Sequence, residues 1–414
     1  MSTITIASIL VSLTAAFAYI NYRFLKLPMA IGIMAVSLVF SLFLILVSSF
    51  GIIDLKNTMQ PLITQIDFSA TLMNGMLSFL LFAGALHVNL QDLKGQRKIV
   101  SIMAIIGTIS STAVVGTVCY YLFPLIGFHI PFIYCLLFGS LISPTDPVAV
   151  MAILKKAGAP KSLETKVVGE SLFNDGIAVV IFISLLGVAS SGNFSASETS
   201  ILFLKEAIGG VILGAVLGYI VHIMLGSIDN YTVEILLTLA LVMGGYEFAL
   251  YIHTSGPITM VIAGLIIGNH GRTFSMSEKT KEHLDVFWEL VDEFLNAVLF
   301  MLIGIELLIL PASSYSITAG IIMIPILLFI RYVSVSIPLF LLRNKHDFSP
   351  MADKILTWGG LRGGISVALV LSLPSELGEI RDNLLVVTYC IVVFSILVQG
   401  LTIGKLIKYS QRNS

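Results

Sequence analysis

Ser143-Pro144-Thr145-Asp146-Pro147 sits in the middle of an apolar run, 131–154, and its reading decides the fold. Proline has no N–H, so Pro144 and Pro147 withhold the helix bonds that the carbonyls of Ser140 and Ser143 would accept. In lipid such freed carbonyls are tolerated only in a cavity or against protein. Two prolines around a Thr-Asp pair therefore predict an interrupted helix that offers oxygen atoms at mid-depth. A proline kink with a satisfied Asp is the plainer alternative. A second break is expected in Gly359-Gly360-Leu361-Arg362-Gly363-Gly364, where four glycines weaken the helix and let backbones approach closely. Small-residue packing alone would account for the glycines, but not for an Arg between them.

The surroundings of both stretches are apolar throughout. Of 414 residues, 57% are hydrophobic and 11% charged, where a soluble domain carries about 25%. A water-soluble enzyme, a secreted disulfide scaffold and a nucleic-acid binder are poor fits, and a net charge of −1 attracts no nucleic acid. Cys119, Cys135 and Cys390 lie in apolar runs and read as small buried hydrophobes. The partner of this surface is the lipid bilayer. A span needs about 20 apolar residues. Thirteen are expected, near 4–22, 28–50, 69–88, 99–124, 131–154, 166–189, 202–225, 231–252, 256–270, 284–310, 315–342, 353–374 and 382–406. Met1–Ile20 lacks a basic start and an Ala-x-Ala exit, so it reads as the first span rather than a signal peptide.

Basic residues set the orientation. With the N-terminus outside, 18 of the 23 Lys and Arg residues fall in inner loops, Lys166 among them, and only Lys56, Lys205 and Arg381 lie at the outer side. Arg331 and Arg362 fall within spans. The odd count gives six spans, a linker span and six more, so that the halves enter the membrane from opposite sides. This predicts an all-α polytopic membrane protein with a 6+1+6 inverted repeat, the layout of secondary transporters with broken helices at mid-membrane. The two interruptions occupy the fifth place in their halves and are expected to cross.

Charged groups inside a membrane usually mark function. Span six holds Gly169-Glu170-Ser171-Leu172-Phe173-Asn174-Asp175-Gly176. Helical spacing puts Glu170 above Asn174 and Ser171 above Asp175 on adjacent rows, looking toward span five. A structural hydrogen-bond cluster is the plainer alternative. Arg331 interrupts span eleven and needs a counter-ion; Glu170 is the natural one, because an Asp175 locked to an Arg would exchange poorly. Asp292, Glu293, Glu247 and Glu306 read as entrance or structural groups, and His87, His270, His283 and His346 sit near inner ends.

A carboxylate withdrawn from water holds a proton more readily, and hard cations prefer oxygen ligands. Asp175, Asp146, Thr145, Ser171 and freed carbonyls offer an oxygen-only shell for which a cation and a proton would compete. If the site moves between faces only when the carboxylate is neutralised, the outcome is cation/proton exchange. With Glu170 offset by Arg331, exchange would be 1:1 and electroneutral. Asp146 either joins this shell or anchors backbone amides at the crossing, near the positive ends of half-helices.

At these residues the sequence resembles the monovalent cation:proton antiporters, within them the electroneutral branch of prokaryotic sodium/proton antiporters and animal sodium/proton exchangers. The carrying segments are 143–148, 169–176, Ala-Gly-Leu-Ile-Ile-Gly-Asn at 263–269, and 359–364. Asn174-Asp175, where electrogenic relatives carry two aspartates, and Arg331 rather than Lys point to that branch. The resemblance implies a homodimer in a prokaryotic plasma membrane, with a core that moves like an elevator against a dimerisation part. It makes Asp175, Thr145 and Ser171 the Na⁺ ligands, Asp146 and Asn174 parts of the crossing, and Glu170–Arg331 the core pair. Na⁺ and H⁺ are then the transported species, Li⁺ is accepted, and no cofactor is needed. As boundaries within one membrane transport domain, 1–414, the dimerisation part is expected at 1–68 and 202–270. The core is expected at 69–189 and 284–406. One departure is Phe82-Ala83-Gly84-Ala85-Leu86, where many prokaryotic members carry Phe-Glu-Gly-Gly-Leu.

The rivals are K⁺/H⁺ exchange by the same machinery and a Na⁺-coupled symporter of an organic anion. Others are an intramembrane aspartyl protease using Asp146 and Asp175, and a passive channel. Asp146 wedged between helix breakers disfavours the protease, and the absence of a repeated filter sequence disfavours the channel.

Overall fold

A backbone without water must satisfy its own N–H and C=O groups, so apolar runs this long fold as helices. The computed structural model describes residues 3–50, 71–191, 196–272, 276–342 and 351–412. The first four runs are α1 (Thr3–Ile20), α2 (Met29–Ser49), α3 (Leu77–Leu86) and α4 (Leu90–Ile126). The fifth is split into α5 (Phe132–Ile142) and α6 (Val148–Ala157). Next come α7 (Lys161–Ser191), α8 (Ala196–Gly226), α9 (Tyr231–Tyr251), α10 (Gly256–Ile266), α11 (Glu278–Glu306) and α12 (Ser314–Leu342). The twelfth run is split into α13 (Ala352–Trp358) and α14 (Gly364–Leu371), and α15 (Glu379–Arg412) closes the chain. Eight of these helices are long and apolar enough to cross a membrane by themselves. Lys56, Arg343, Lys345 and His346, residues 51–68 of the expected dimerisation part, and 69–70 of the third expected span lie outside the described residues.

Both expected breaks are present, and they meet. The Asp146 N–H donates to the Leu361 carbonyl at 2.7 Å, an antiparallel bridge that is the only β-type pairing among the described residues. The closest expected boundary, between the eighth and ninth spans, is a tight turn with His253 in the left-handed region, φ 55°. Lys166 corrects the expected loop placement. The chain turns helical at Lys161, directly after Pro160, whose carbonyl accepts the first helical bonds, so Lys166 falls in the second turn and is 2% exposed.

The helix contacts fall mainly into two bodies, which meet where α7 packs on α8 and α10. α4 packs on α5, α7 and α12; α15 packs on α12, α14 and, at its end, α6. In the other body α10 packs on α3, α8 and α9, and α11 packs on α2, α3 and α1. α3 and α11, which the sequence boundaries group with the core, pack chiefly against α10 and α2. The reason is visible in their side chains. Trp288 of α11 is fully buried with its ring 4.8 Å from that of Phe82 on α3, and its indole N–H donates to Thr238 on α9.

Candidate functional site

α5 ends at Ser143 because Pro144 and Pro147 remove the donors that would continue it. The last carbonyls of α5 carry the negative end of its dipole. The guanidinium of Arg362 answers them, Nη1 donating to the Ser143 carbonyl and, at 2.7 Å, to the Pro144 carbonyl. The backbone N–H of Arg362 donates to Ser395 on α15 at 2.8 Å. Thus the arginine of the second break satisfies the Ser143 carbonyl that Pro147 sets free, together with the Pro144 carbonyl beside it.

The second break needs its glycines for room. A Cβ on Gly363 would run into the carboxylate of Asp146, and one on Gly360 would lie 2.8 Å from Nε of Arg331 and 3.2 Å from Thr145. Asp146 therefore lies against the start of α14, where the helix dipole is positive, and its side chain also lines the cavity described below.

Span six docks on the crossing through Asn174. Its amide oxygen accepts from the Thr145 N–H at 3.3 Å, and its NH₂ donates to the Thr145 hydroxyl at 2.9 Å. The same hydroxyl shares a 2.9 Å hydrogen bond with Ser171. Glu170 and Arg331 form a bidentate ion pair, Nη1 to Oε1 and, at 2.8 Å, Nη2 to Oε2. Glu170 is 1% exposed and its charge is fully engaged. Asp175 is 7% exposed.

A cavity of ≈ 910 Å³ separates the two bodies, and both Asp175 and Asp146 line it. Its lining reaches the loop-proximal residues His87, Asn89, Asp92, Lys161 and Glu164. There Lys161 pairs with Asp92 at 2.8 Å, and Arg272 forms a bidentate pair with Asp285. Elsewhere the two bodies touch, with the Tyr389 hydroxyl of α15 donating to the Ile303 carbonyl of α11 at 2.9 Å.

The structure thus brings together Thr145, Ser171 and Asn174, joins Glu170 to Arg331, and sets Asp175 and Asp146 on one aqueous cavity. Arg362, Pro144 and Pro147 lie at the crossing. Sequence reasoning understated α11. Asp285, Glu289, Asp292, Glu293 and Asn296 all line the cavity, and Asn296 donates to the Asp292 carboxylate at 3.1 Å. Their spacing of i, i+4, i+7, i+8 and i+11 marks one helical face. Among the described residues no group of three or more His, Cys, Asp or Glu is arranged to hold a metal ion. At Ala83 the departing α3 stretch is fully buried and brings no carboxylate to the cavity.

Two interrupted helices crossing within an apolar helical bundle, with carboxylates lining a cavity beside them, are the layout of an integral membrane secondary transporter. Residues 11–409 match the family described as sodium/hydrogen exchanger, transmembrane, and the chain belongs to it, a family of transporters rather than enzymes. It is 52% identical over 403 residues to the Na⁺/H⁺ antiporter NhaP of Pseudomonas aeruginosa, covering 96% of this chain and 95% of that one. It is 36% identical over 393 residues to the Na⁺/H⁺ antiporter NhaH of Halobacillus dabanensis, covering 93% of each. The fold matches the solved sodium proton antiporter MjNhaP1 of Methanocaldococcus jannaschii with a TM-score of 0.75 at 20% identity, over 98% of this chain and 99% of that one.

Proposed function

We propose that the protein exchanges Na⁺, and Li⁺, for H⁺ across a prokaryotic plasma membrane, one for one, with Asp175 as the group that holds either ion. The observation that carries this reading is the pairing of charges around the cavity. Glu170 is held by Arg331, Arg362 by the carbonyls at the end of α5, and Asp146 lies against the start of α14, so of the acids on the crossing Asp175 is the one left to exchange. A cation entering the cavity meets the Asp175 carboxylate, and the buried hydroxyls of Ser171, one helical turn earlier, and of Thr145, bonded to it, would complete an oxygen shell suited to a hard ion. Its arrival requires the proton to leave, because both neutralise one charge. Asp146 and Asn174 keep the crossing in register, Asp146 at the start of α14 and Asn174 on Thr145.

The moving body comprises α4–α7 and α12–α15, and the scaffold α1–α3 and α8–α11; the site rides on the former and the cavity separates the two. The scaffold forms the homodimer. With the basic face in the cytoplasm, the N-terminus lies outside, the C-terminus inside, and the cavity opens inward. Either neutralised form of Asp175 crosses the low-dielectric barrier readily, while the bare carboxylate does not, which couples the two fluxes.

The test is a cation panel on proteoliposomes holding a pH gradient, with and without a clamped membrane potential. Na⁺ and Li⁺ dissipate the gradient, K⁺ does not, and clamping leaves the rate unchanged. A response to K⁺ alone replaces the reading with K⁺/H⁺ exchange, and a potential-dependent rate overturns the 1:1 count. Asp175→Asn, which keeps the shape and removes the charge, abolishes exchange, a loss of at least about 100-fold, while the protein still purifies folded.

A further inference from the structure

The segment Ala263-Gly264-Leu265-Ile266-Ile267-Gly268-Asn269 lies outside the ion site, on α10 and the π-turn that follows it. Its two glycines bring α10 onto α3. A Cβ at Gly264 would lie 2.7 Å from that of Ala85 and 2.8 Å from the Phe82 carbonyl, and a Cβ at Gly268 would run into the carbonyl of Leu86. This contact delivers the side chain of Asn269 to the short connection between α3 and α4, the place on the basic face where the chain passes from one body to the other.

There the amide of Asn269 is fully used. Its NH₂ donates to the Val88 carbonyl and to the Leu265 carbonyl, both at 2.9 Å, and its oxygen accepts the Leu90 N–H at 2.7 Å. Leu90 is the first residue of α4, and the first N–H groups of a helix have no partner within it. Asn89 caps the next two, its side-chain oxygen accepting from Gln91 at 2.8 Å and Asp92 at 3.4 Å. The first turn of a helix in one body is therefore completed by a side chain of the other. α4 itself runs unbroken for 37 residues and packs on α5 and α7, which carry the site.

We propose that Asn269 is the hinge pin of the transport cycle: it clamps the α3–α4 connection to α10 and fixes the point about which α4 and the body attached to it turn. The proposal rests on the two-body exchange reading above. Asn269 is a positioning residue, holding the start of α4 without touching the transported ion. A pin keeps its bonds in both end states, whereas a gate at the same place would release them in every cycle.

The experiment is Na⁺/H⁺ exchange in proteoliposomes by Asn269→Ala, Asn269→Asp and the double variant Val88→Cys/Asn269→Cys. The wild type, treated with the same reagents, controls for Cys119, Cys135 and Cys390. Asn269→Ala lowers the maximal rate about tenfold and leaves the apparent KM for Na⁺ within about twofold, because the ion site is intact. Asn269→Asp, which keeps the acceptor for Leu90 and loses the donor to Val88, falls between. The double variant is slow when reduced and regains most of its rate when a short bis-thiol reagent bridges the two cysteines. A wild-type rate in Asn269→Ala, a change confined to KM, or exchange halted by the bridge would each overturn the pin. Absence of Na⁺-driven proton flux in the wild type would instead overturn the exchange reading.

Discussion

The two breaks at the crossing do opposite jobs with opposite chemistry. The first, 143–147, carries two prolines, two hydroxyls and a carboxylate; it creates free carbonyls and turns the Asp146 carboxylate to the cavity. The second, 359–364, carries four glycines and one arginine; it gives space and a positive charge. Each supplies what the other lacks. Arg362 covers the carbonyls at the end of α5, Gly363 leaves room for the Asp146 carboxylate at the start of α14, and one backbone bond joins the pair. The lesson is that a broken helix is stable at mid-membrane when its partner is broken in the complementary sense.

This comparison is broken most easily on the glycine side. Gly363→Ala places a methyl group in the position of the Asp146 carboxylate, so exchange falls at least about 100-fold and thermal stability drops. Pro144→Ala adds an N–H donor and no bulk, and costs far less. Measuring both variants by exchange rate and melting temperature in one detergent decides the matter; a silent Gly363→Ala would show that the second break does not need its space.

The next effect is on stability. Glu170→Gln leaves the buried Arg331 without its counter-charge and destabilises the protein by about 3–5 kcal/mol. Glu170→Gln/Arg331→Gln recovers part of this, since neither charge is then unpaired. Thermal unfolding of the two variants and the wild type checks the order; a double variant no better than the single would mean that the pair does not hold span six to span eleven. The smallest effect belongs to the first break's hydroxyl cluster. Ser171→Ala removes one neutral oxygen and the bond to Thr145, and raises the apparent KM for Na⁺ a few-fold, about 1 kcal/mol of binding, with the maximal rate unchanged.

What could be read in the sequence follows from how foreign each residue is to lipid. Pro144, Asp146, Pro147 and Arg362 stand in apolar runs where no packing argument covers them, so both breaks and their crossing were readable. Glu170 and Arg331 were paired by elimination, and in the structure they make a bidentate contact. The acidic face of α11 was harder. Asp292 and Glu293 read as entrance or structural groups, but Asp285 and Glu289 lie near a basic loop, where charges at a membrane surface need no explanation, and only the cavity wall shows them turned inward. The grouping of α3 and α11 with α10 and α2 was not readable either, because it depends on contacts such as Trp288 with Phe82 rather than on hydropathy. Asn269 was visible as part of a motif, but its role at the start of α4 needed the fold to bring residues 179 positions apart together.

The central claim is that one carboxylate serves both ions, and the most direct test is the apparent KM for Na⁺ measured across pH at fixed membrane potential. Direct competition predicts that KM rises about tenfold for each unit of acidification where the protonated form dominates, while the rate at saturating Na⁺ stays constant. A KM that is flat with pH, with all the pH dependence in the maximal rate, would contradict it and place the proton on a group other than the one that holds the cation.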